Sequence, residues 1–190
     1  TVAGDHEVNQ VFLEDVVVPV SDRIGEEGQG WTIAKFLLEN ERGGSCHAPR
    51  LGYDLDQIEK SAREQPDGRG AVLADDPQWQ ERVAVHRLAV EALEMIELRF
   101  VSEQMKGIKP GPQTSLSKML ASNLRQKIDL LAVELHDMQG LLLDVARPLY
   151  GPGAPAVIAS PGAQVASARY LNSRAWTVFG GTNEVQSNII

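Results

Sequence analysis

Glu41 is the residue whose type and position most suggest chemistry. It stands four residues after Leu37 and three after Leu38, so in a helix it shares their apolar face. A carboxylate on an apolar face is poorly solvated, which raises its pKa and suits a general base. Glu39 lies about 200° away around the helix and follows Lys35 by four residues, as in a surface ion pair. The alternative is that Glu41 is also a surface carboxylate, because charged side chains are mostly exposed.

A second cluster of interest lies near the end of the sequence, where Gly180 and Gly181 precede Thr182 and Glu184. Glycines allow the backbone to approach a ligand closely. Thr182 is placed to begin a helix, where backbone N–H groups favour anionic or carbonyl oxygens. The alternative is a local structural device, with the glycines ending one helix and Thr182 capping the next. Both interpretations can hold for the same residues.

The other reactive side chains do not form a recognisable site. Cys46 is the single cysteine, so an internal disulfide and a zinc-type cysteine spacing are both excluded. We expect it to be a small buried residue rather than a reactive thiol. The four histidines have no metal-ligand spacing and are interpreted as structural or surface groups; they are His6, His47, His86 and His136. The sequence therefore predicts no metal site.

The bulk properties limit the classes of partner. The net charge is -8 and the pI is near 5.0, so no basic surface for a nucleic acid or an anionic membrane is expected. No apolar run approaches the roughly 20 residues of a membrane-spanning helix. A single cysteine fits a reducing, cytoplasmic setting best.

The pattern of residue types predicts a mainly α chain: an antiparallel up-and-down bundle of about four long helices, preceded by a short β segment. Residues 8–20 are rich in strand formers. Helical spacing begins at Trp31, weakens at 43–44, is expected to kink or end at Pro49 and resumes at Leu55. Polar loops are expected at 65–75 and 140–155. Further helices are predicted from Asp76-Pro77 to about Met105, from Thr114 or Ser115 to about His136, and from Ser160-Pro161 to Gly180-Gly181.

Two stretches resemble acyl-CoA dehydrogenases. Residues 9–19 with 25–31 are similar to the junction where the family's middle β-domain meets its C-terminal helical domain, and residues 179–190 are similar to its C-terminal signature. Pro110-Gly111-Pro112 with Ser115 and Lys118 resembles a subgroup found as the large subunit of two-subunit enzymes. The resemblance implies two parts, the tail of the β-domain at 1–25 and the helical bundle at 26–190. It also implies that the chain is a fragment of a longer enzyme.

The function that the resemblance implies is α,β-dehydrogenation of an acyl-CoA thioester, with FAD as cofactor and an external electron acceptor, in lipid or steroid catabolism. The position where much of the family has its catalytic Glu is Gly180, whereas Glu41-Arg42 matches members that place the base on the first helix of this domain. Arg42 then binds the CoA side of the substrate or orients Glu41, or it forms a structural ion pair. Gly181, Thr182 and Glu184 match positions that contact the flavin.

Two departures from the family pattern concern the flavin contacts supplied by a neighbouring subunit. A Gln and two glycines of the family are replaced here by Glu134, Asp137 and Met138, and the Arg that precedes a Phe-Gly pair has no match, since 65–75 holds only Arg69. We therefore expect a homo- or hetero-oligomer in which another acyl-CoA dehydrogenase subunit supplies the missing contacts. The alternatives are a related acyl-CoA oxidase or flavin monooxygenase, and a non-catalytic assembly subunit.

Overall fold

The computed structural model describes residues 1–6, 8–43, 46–109, 111–143 and 163–190, without the side chains of 39–43 and 164. The described part is mostly helical, as the sequence predicts. Its α-helices are α1 Gly30–Gly43, α2 Ala48–Ala62, α3 Pro77–Met105, α4 Thr114–Leu135, α5 Asp137–Gly140, α6 Ala163–Asn172 and α7 Asn183–Ile189. Within the same described ranges, 3-10 turns lie at Val20–Asp22, Leu73–Asp75 and Ser173–Thr177.

The core lies between α2, α3 and α4, and each of these helices packs against the other two. Each helix contributes apolar side chains at helical spacing, so that one stripe per helix faces the other two. The members with the largest side chains are Leu51, Leu55 and Ile58 of α2, Trp79, Val83, Val90 and Leu93 of α3, and Leu124, Ile128, Leu131 and Leu135 of α4. Helix α4 also contacts α6, α7 and the Ser173–Thr177 turn, so it lies at the centre of the bundle.

Several helix boundaries follow from local capping. Helix α3 begins after Asp76, whose Oδ1 accepts a hydrogen bond from the Gln78 N–H at 3.1 Å, and Pro77 occupies the first helical position. This start and the end at Met105 confirm the prediction. Pro49 behaves differently from the prediction, because it lies in the first turn of α2 and so begins a helix rather than ending one.

The last predicted helix is only partly correct. Its expected start at Ser160-Pro161 lies outside the described residues, and α6 gives way to a 3-10 turn at Ser173 instead of continuing to Gly180. The hydroxyl of Ser173 donates to the carbonyl oxygen of Tyr170 at 2.7 Å, and that of Thr177 to the carbonyl of Arg174 at 3.0 Å. Such bonds to the carbonyl three residues earlier compete with the α-helical pattern.

The predicted β segment is not confirmed. Residues 8–19 belong to no helix or strand, and the β-bridge found in the described residues pairs Pro66 with Val72. The apolar side chains of residues 8–19 are largely exposed, with Val17 at 94% and Phe12 at 77%. A strand needs a neighbouring strand to complete its hydrogen bonds. The division into parts 1–25 and 26–190 therefore stays a prediction. In the described residues no helix is long and apolar enough to cross a membrane.

A buried ionic network joins the helices. The Nη1 of Arg125 on α4 donates to Asp54 Oδ2 of α2 at 2.7 Å, and its Nε and Nη2 donate to the two carboxylate oxygens of Asp129 at 2.8 Å each. All three side chains are at most 7% exposed. Arg169 of α6 reaches Asp54 at 3.5 Å, and the Arg125 guanidinium lies over the Trp176 ring at 6.0 Å. This network fixes α2, α4 and α6 relative to one another.

A second buried carboxylate holds the start of α2. Glu97 of α3 accepts hydrogen bonds from the backbone N–H groups of His47 at 2.8 Å and Ala48 at 3.0 Å. It also accepts one from the Ser117 hydroxyl of α4 at 3.2 Å. The N–H groups of a first helical turn have no partner within the helix and attract negative charge. Glu97 therefore fixes the start of α2 against the core.

Replacing Arg125 by Met should lower the free energy of unfolding by about 3–5 kcal/mol, because two buried carboxylates lose their nearest cation. Asp129 loses both of its hydrogen bonds to Arg125, and Asp54 keeps only the longer pairs with Arg50 at 3.4 Å and Arg169 at 3.5 Å. Urea unfolding followed by circular dichroism measures this. Arg99→Met is the matched control, since Arg99 forms an exposed pair with Glu103 on α3, and it should change the value by less than about 0.5 kcal/mol. Equal losses for the two variants would show that the Arg125 network is not what holds the helices.

Candidate functional site

The glycine pair near the end of the chain forms a tight turn rather than a plain helix end. Gly180 and Gly181 have φ values of +69° and +86°, in the left-handed region that favours glycine. Thr182 then caps α7, with its hydroxyl accepting a hydrogen bond from the Val185 N–H at 3.2 Å. The predicted helix start at Thr182 is confirmed. We call residues 180–184 the signature turn.

A row of polar side chains on α4 holds the signature turn in place. The ammonium of Lys118 donates to the carbonyl oxygen of Gly181 at 2.8 Å and to Asn183 Oδ1 at 2.9 Å. The Ser122 hydroxyl lies 3.1 Å from the same Asn183 oxygen. The Nδ2 of Asn183 donates to Asn123 Oδ1 at 3.1 Å. The conformation of the turn is therefore set by a distant helix as well as by its own glycines.

Gln186 also holds the signature turn, from the buried side. Its side chain is fully buried, and its Nε2 donates to the carbonyl oxygen of Gly180 at 2.8 Å and lies 3.4 Å from that of Gly181. Its Oε1 has no hydrogen-bond partner among the residues that the structure describes. A Cβ placed on Gly181 would lie 2.5 Å from this Nε2, whereas a Cβ on Gly180 would meet no atom within 4 Å. The space beside Gly180 is therefore open, and the space beside Gly181 is filled.

Charges of opposite sign meet at the signature turn. Partial burial lowers the pKa of Lys118, and the carboxylate of Glu184 opposes this shift. The pKa of Glu184 lies below its ordinary value because its carboxylate accepts hydrogen bonds from its own N–H and from the Thr182 hydroxyl, with a smaller contribution from Lys118. Thr182 and Gly181 are half-buried, while Glu184 and Gly180 are exposed. The turn is thus rigidly held on its α4 side and accessible on its other side.

Three aromatic rings connect the residue before the signature turn with the start of α2. The His47 ring meets the edge of Trp176 with 6.0 Å between centroids, and Trp176 packs on Phe179 at 5.7 Å. Phe179 immediately precedes Gly180, and His47 immediately precedes α2. The start of α2, six residues after Glu41, is therefore linked through Trp176 to the residue that precedes the signature turn.

Glu41 and Arg42 are on the last turn of α1, and their side chains lie outside the described residues. The neighbouring side chains of the proposed apolar face are described, and they are not covered: Leu37 is 64% and Leu38 37% exposed. The dry environment expected around Glu41 is therefore not supplied by the described part of this chain. No group of three potential metal ligands is found among the described residues.

Residues 134–140, which depart from the family pattern, contain a position with a strained backbone conformation. Asp137 has φ +48°, a conformation that glycine adopts without strain and that other residues rarely adopt. Glu134 pairs with Arg82 of α3 and so has a structural partner. At Gly140 an added Cβ would lie 2.2 Å from the Val133 carbonyl oxygen. The backbone here still has the shape that glycines favour, although one of the glycines is an aspartate.

The sequence also left some residues unassigned or misassigned. Cys46 is exposed, contrary to the expectation of a buried residue, because it lies in the connection before α2 rather than on a packed helix. Trp176, Asn183 and Gln186 were not identified as structural supports of the site. Lys118 could have been found from the spacing of Lys118, Ser122 and Gln126, which places three polar side chains four residues apart on one face of α4.

Comparisons with known proteins agree with this architecture. The sequence profile of the family described as "Acyl-CoA dehydrogenase, C-terminal domain" matches residues 28–190. Acyl-CoA dehydrogenase IpdE1 of Mycolicibacterium smegmatis is 29% identical over 190 residues, which covers 98% of this chain and 42% of the relative. Acyl-CoA dehydrogenase FadE34 of Mycobacterium tuberculosis is 27% identical, covering 97% of this chain and 22% of the relative. The chain thus spans less than half the length of these relatives.

A solved structure is also similar. A chain of the ChsE4-ChsE5 complex from Mycobacterium tuberculosis matches with a TM-score of 0.71 and 28% identity, covering 91% of this chain and 41% of that one.

Gly181→Ala should destabilise the chain by at least about 1 kcal/mol more than Gly180→Ala. Both variants place a side chain at positive φ, which is unfavourable by roughly 1–2 kcal/mol, but only at Gly181 does the new Cβ meet the buried Gln186 amide. Urea unfolding of the two variants provides the comparison. Losses of the same size would mean that Gln186 does not restrict this position.

Acidification should destabilise the chain through two histidines. Burial lowers the pKa of His47, against the opposing effect of Glu97, and it lowers the pKa of His136. The unfolded chain, with a histidine pKa near 6.5, then binds more protons than the folded one. The stabilisation that arises from these two lowered pKa values is fully present above about pH 6.5. It is lost as the pH falls towards the pKa values of the folded chain.

Urea unfolding between pH 7.5 and pH 5 measures this effect. The double variant His47→Gln, His136→Gln should show a shallower loss of stability than the parent chain. A slope that is the same in the two proteins would contradict the assignment.

Proposed function

Since this chain belongs to the acyl-CoA dehydrogenase family, as its match over residues 28–190 establishes, we propose that it is the C-terminal part of a flavin-dependent acyl-CoA dehydrogenase. Residues 26–190 are its helical bundle and residues 1–25 the tail of a β-domain. The substrate is an acyl-CoA thioester. The complete enzyme contains FAD and passes its electrons to an external electron-transfer acceptor. A cytoplasmic setting remains a prediction from the single cysteine.

Glu41 is the proposed base, which removes the α-proton of the thioester. The chemistry that FAD supplies when bound is acceptance of the hydride that leaves the β-carbon. Arg42 binds the CoA side of the substrate or orients Glu41. Gly181, Thr182 and Glu184 hold the flavin, and the accessible side of the signature turn fits this role because its backbone is fixed and no side chain fills the space beside Gly180.

The contact between His47, Trp176 and Phe179 is the observation that carries the proposal. The family resemblance offers two positions for the base, one matching Gly180 and one matching Glu41. Trp176 contacts both His47, six residues after Glu41, and Phe179, the residue before Gly180. A base that has moved from one position to the other would then still serve the same substrate region. Gly180 has no side chain, which leaves Glu41 as the carboxylate of the pair.

We further propose that a second acyl-CoA dehydrogenase subunit completes the flavin site. The motivation is the replacement of family residues by Glu134, Asp137 and Met138, together with the similarity to a chain of the ChsE4-ChsE5 complex. The same departures favour one other candidate, a non-catalytic assembly subunit that keeps the bundle but contributes no base. These two candidates differ in whether Glu41 is needed for turnover.

Glu41→Gln in the complete enzyme, purified with its partner subunit, should lower kcat for acyl-CoA oxidation by about 10²–10⁴-fold, the usual contribution of a general base. The flavin absorption spectrum should stay unchanged. Glu39→Gln is the matched control on the same helix and should retain activity. Full activity of the Glu41→Gln enzyme would favour the assembly subunit, with the base in the partner.

A further inference from the structure

We propose that Lys118 is a positioning residue that, with Gln186, turns the backbone N–H groups of Gly181 and Thr182 towards the flavin. This inference rests on the proposed function for the identity of the ligand. Lys118 itself lies on the α4 side of the turn, so it acts through the backbone rather than on a ligand.

Lys118 and Gln186 bind two successive carbonyl oxygens of the turn. The Lys118 ammonium is 2.8 Å from the Gly181 oxygen, and the Gln186 Nε2 is 2.8 Å from the Gly180 oxygen. A trans peptide is planar, with its N–H pointing opposite to its C=O. When both carbonyls face α4 and the buried glutamine, the N–H groups of Gly181 and Thr182 must face the other way.

These outward N–H groups are available to a ligand. Within the described part of the chain, the hydrogen bonds assigned to Gly181 and Thr182 use their carbonyl oxygens and the Thr182 hydroxyl, and none uses their backbone N–H. Successive N–H groups in a turn of this kind form a concave donor site for carbonyl or phosphate oxygens. The isoalloxazine carbonyls and the phosphates of FAD are acceptors of this chemical class.

Lys118 can fix the signature turn only if α4 is itself held in place, and the packing of α4 holds it. Its opposite face is packed in the core and linked through Arg125 to α2. Lys118 has a further contact with Asn183 Oδ1, which also lies within 3.1 Å of the Ser122 hydroxyl. The ammonium is therefore held by two oxygens on successive parts of the turn. A lysine that served only for solubility would have neither contact.

The test compares Lys118→Met with Lys127→Met, which removes an ammonium from an exposed position of the same helix. Backbone ¹⁵N order parameters of Gly180, Gly181 and Thr182 in this chain should fall from about 0.85 in the parent to below about 0.6 in Lys118→Met. Lys127→Met should match the parent. Lys118→Arg, which keeps a cationic donor, should restore most of the order. Unchanged order in Lys118→Met would overturn the proposal.

A second measurement, the dissociation constant of FAD in the complete enzyme, addresses the ligand. It should rise at least tenfold in Lys118→Met, stay constant in Lys127→Met and recover in Lys118→Arg. Loss of order without any change in FAD affinity would overturn the assignment of the two N–H groups to flavin. A parent enzyme that binds no FAD, even with its partner subunit, would instead contradict the proposed function, and the order parameters would still decide whether Lys118 fixes the turn.

Discussion

The buried guanidinium of Arg125 is the constraint on which the rest of the structure depends. It joins α4 to α2 through Asp54, donates two hydrogen bonds to Asp129 on its own helix and lies over the ring of Trp176. Removing charges from water is unfavourable, and apolar residues of the same volume would often be as stable. Apolar residues would not, however, select one orientation of the helices relative to each other. A planar donor group with two fixed carboxylates and one ring allows a single register between the helices.

The consequence of that register is that the position of the signature turn is set by α4 rather than by the turn itself. One face of α4 packs on α2 and α3, and the other presents Lys118, Ser122 and Asn123 to residues 181–183. Trp176 links the Arg125 network to the residue before the signature turn and to the start of α2, because its ring contacts Arg125, Phe179 and His47. A shift of α4 would therefore move the turn and the α1–α2 junction together.

The sequence predicted what depends on nearby residues and missed what depends on distant ones. The start of α3 at Asp76-Pro77 was correct because an N-cap and a proline act within one turn. Pro49 was misassigned because a proline fits both the first turn of a helix and the break after one, and the choice depends on Glu97 of another helix. The Arg125 network joins residues 71 positions apart, which no spacing rule connects. The β segment depends on pairing with strands that residues 8–19 do not find here.

The exposed face of α1 bears on how a base at Glu41 would work. A carboxylate abstracts a weakly acidic proton near neutral pH only when its surroundings are dry enough to raise its pKa. In this chain the described side chains beside that position, Leu37 and Leu38, are open to solvent. The described side chains beside this position therefore do not shield it from solvent. On the proposed function, the cover that desolvates Glu41 comes from another part of the complete enzyme, so the described helices alone would carry the base without making it reactive.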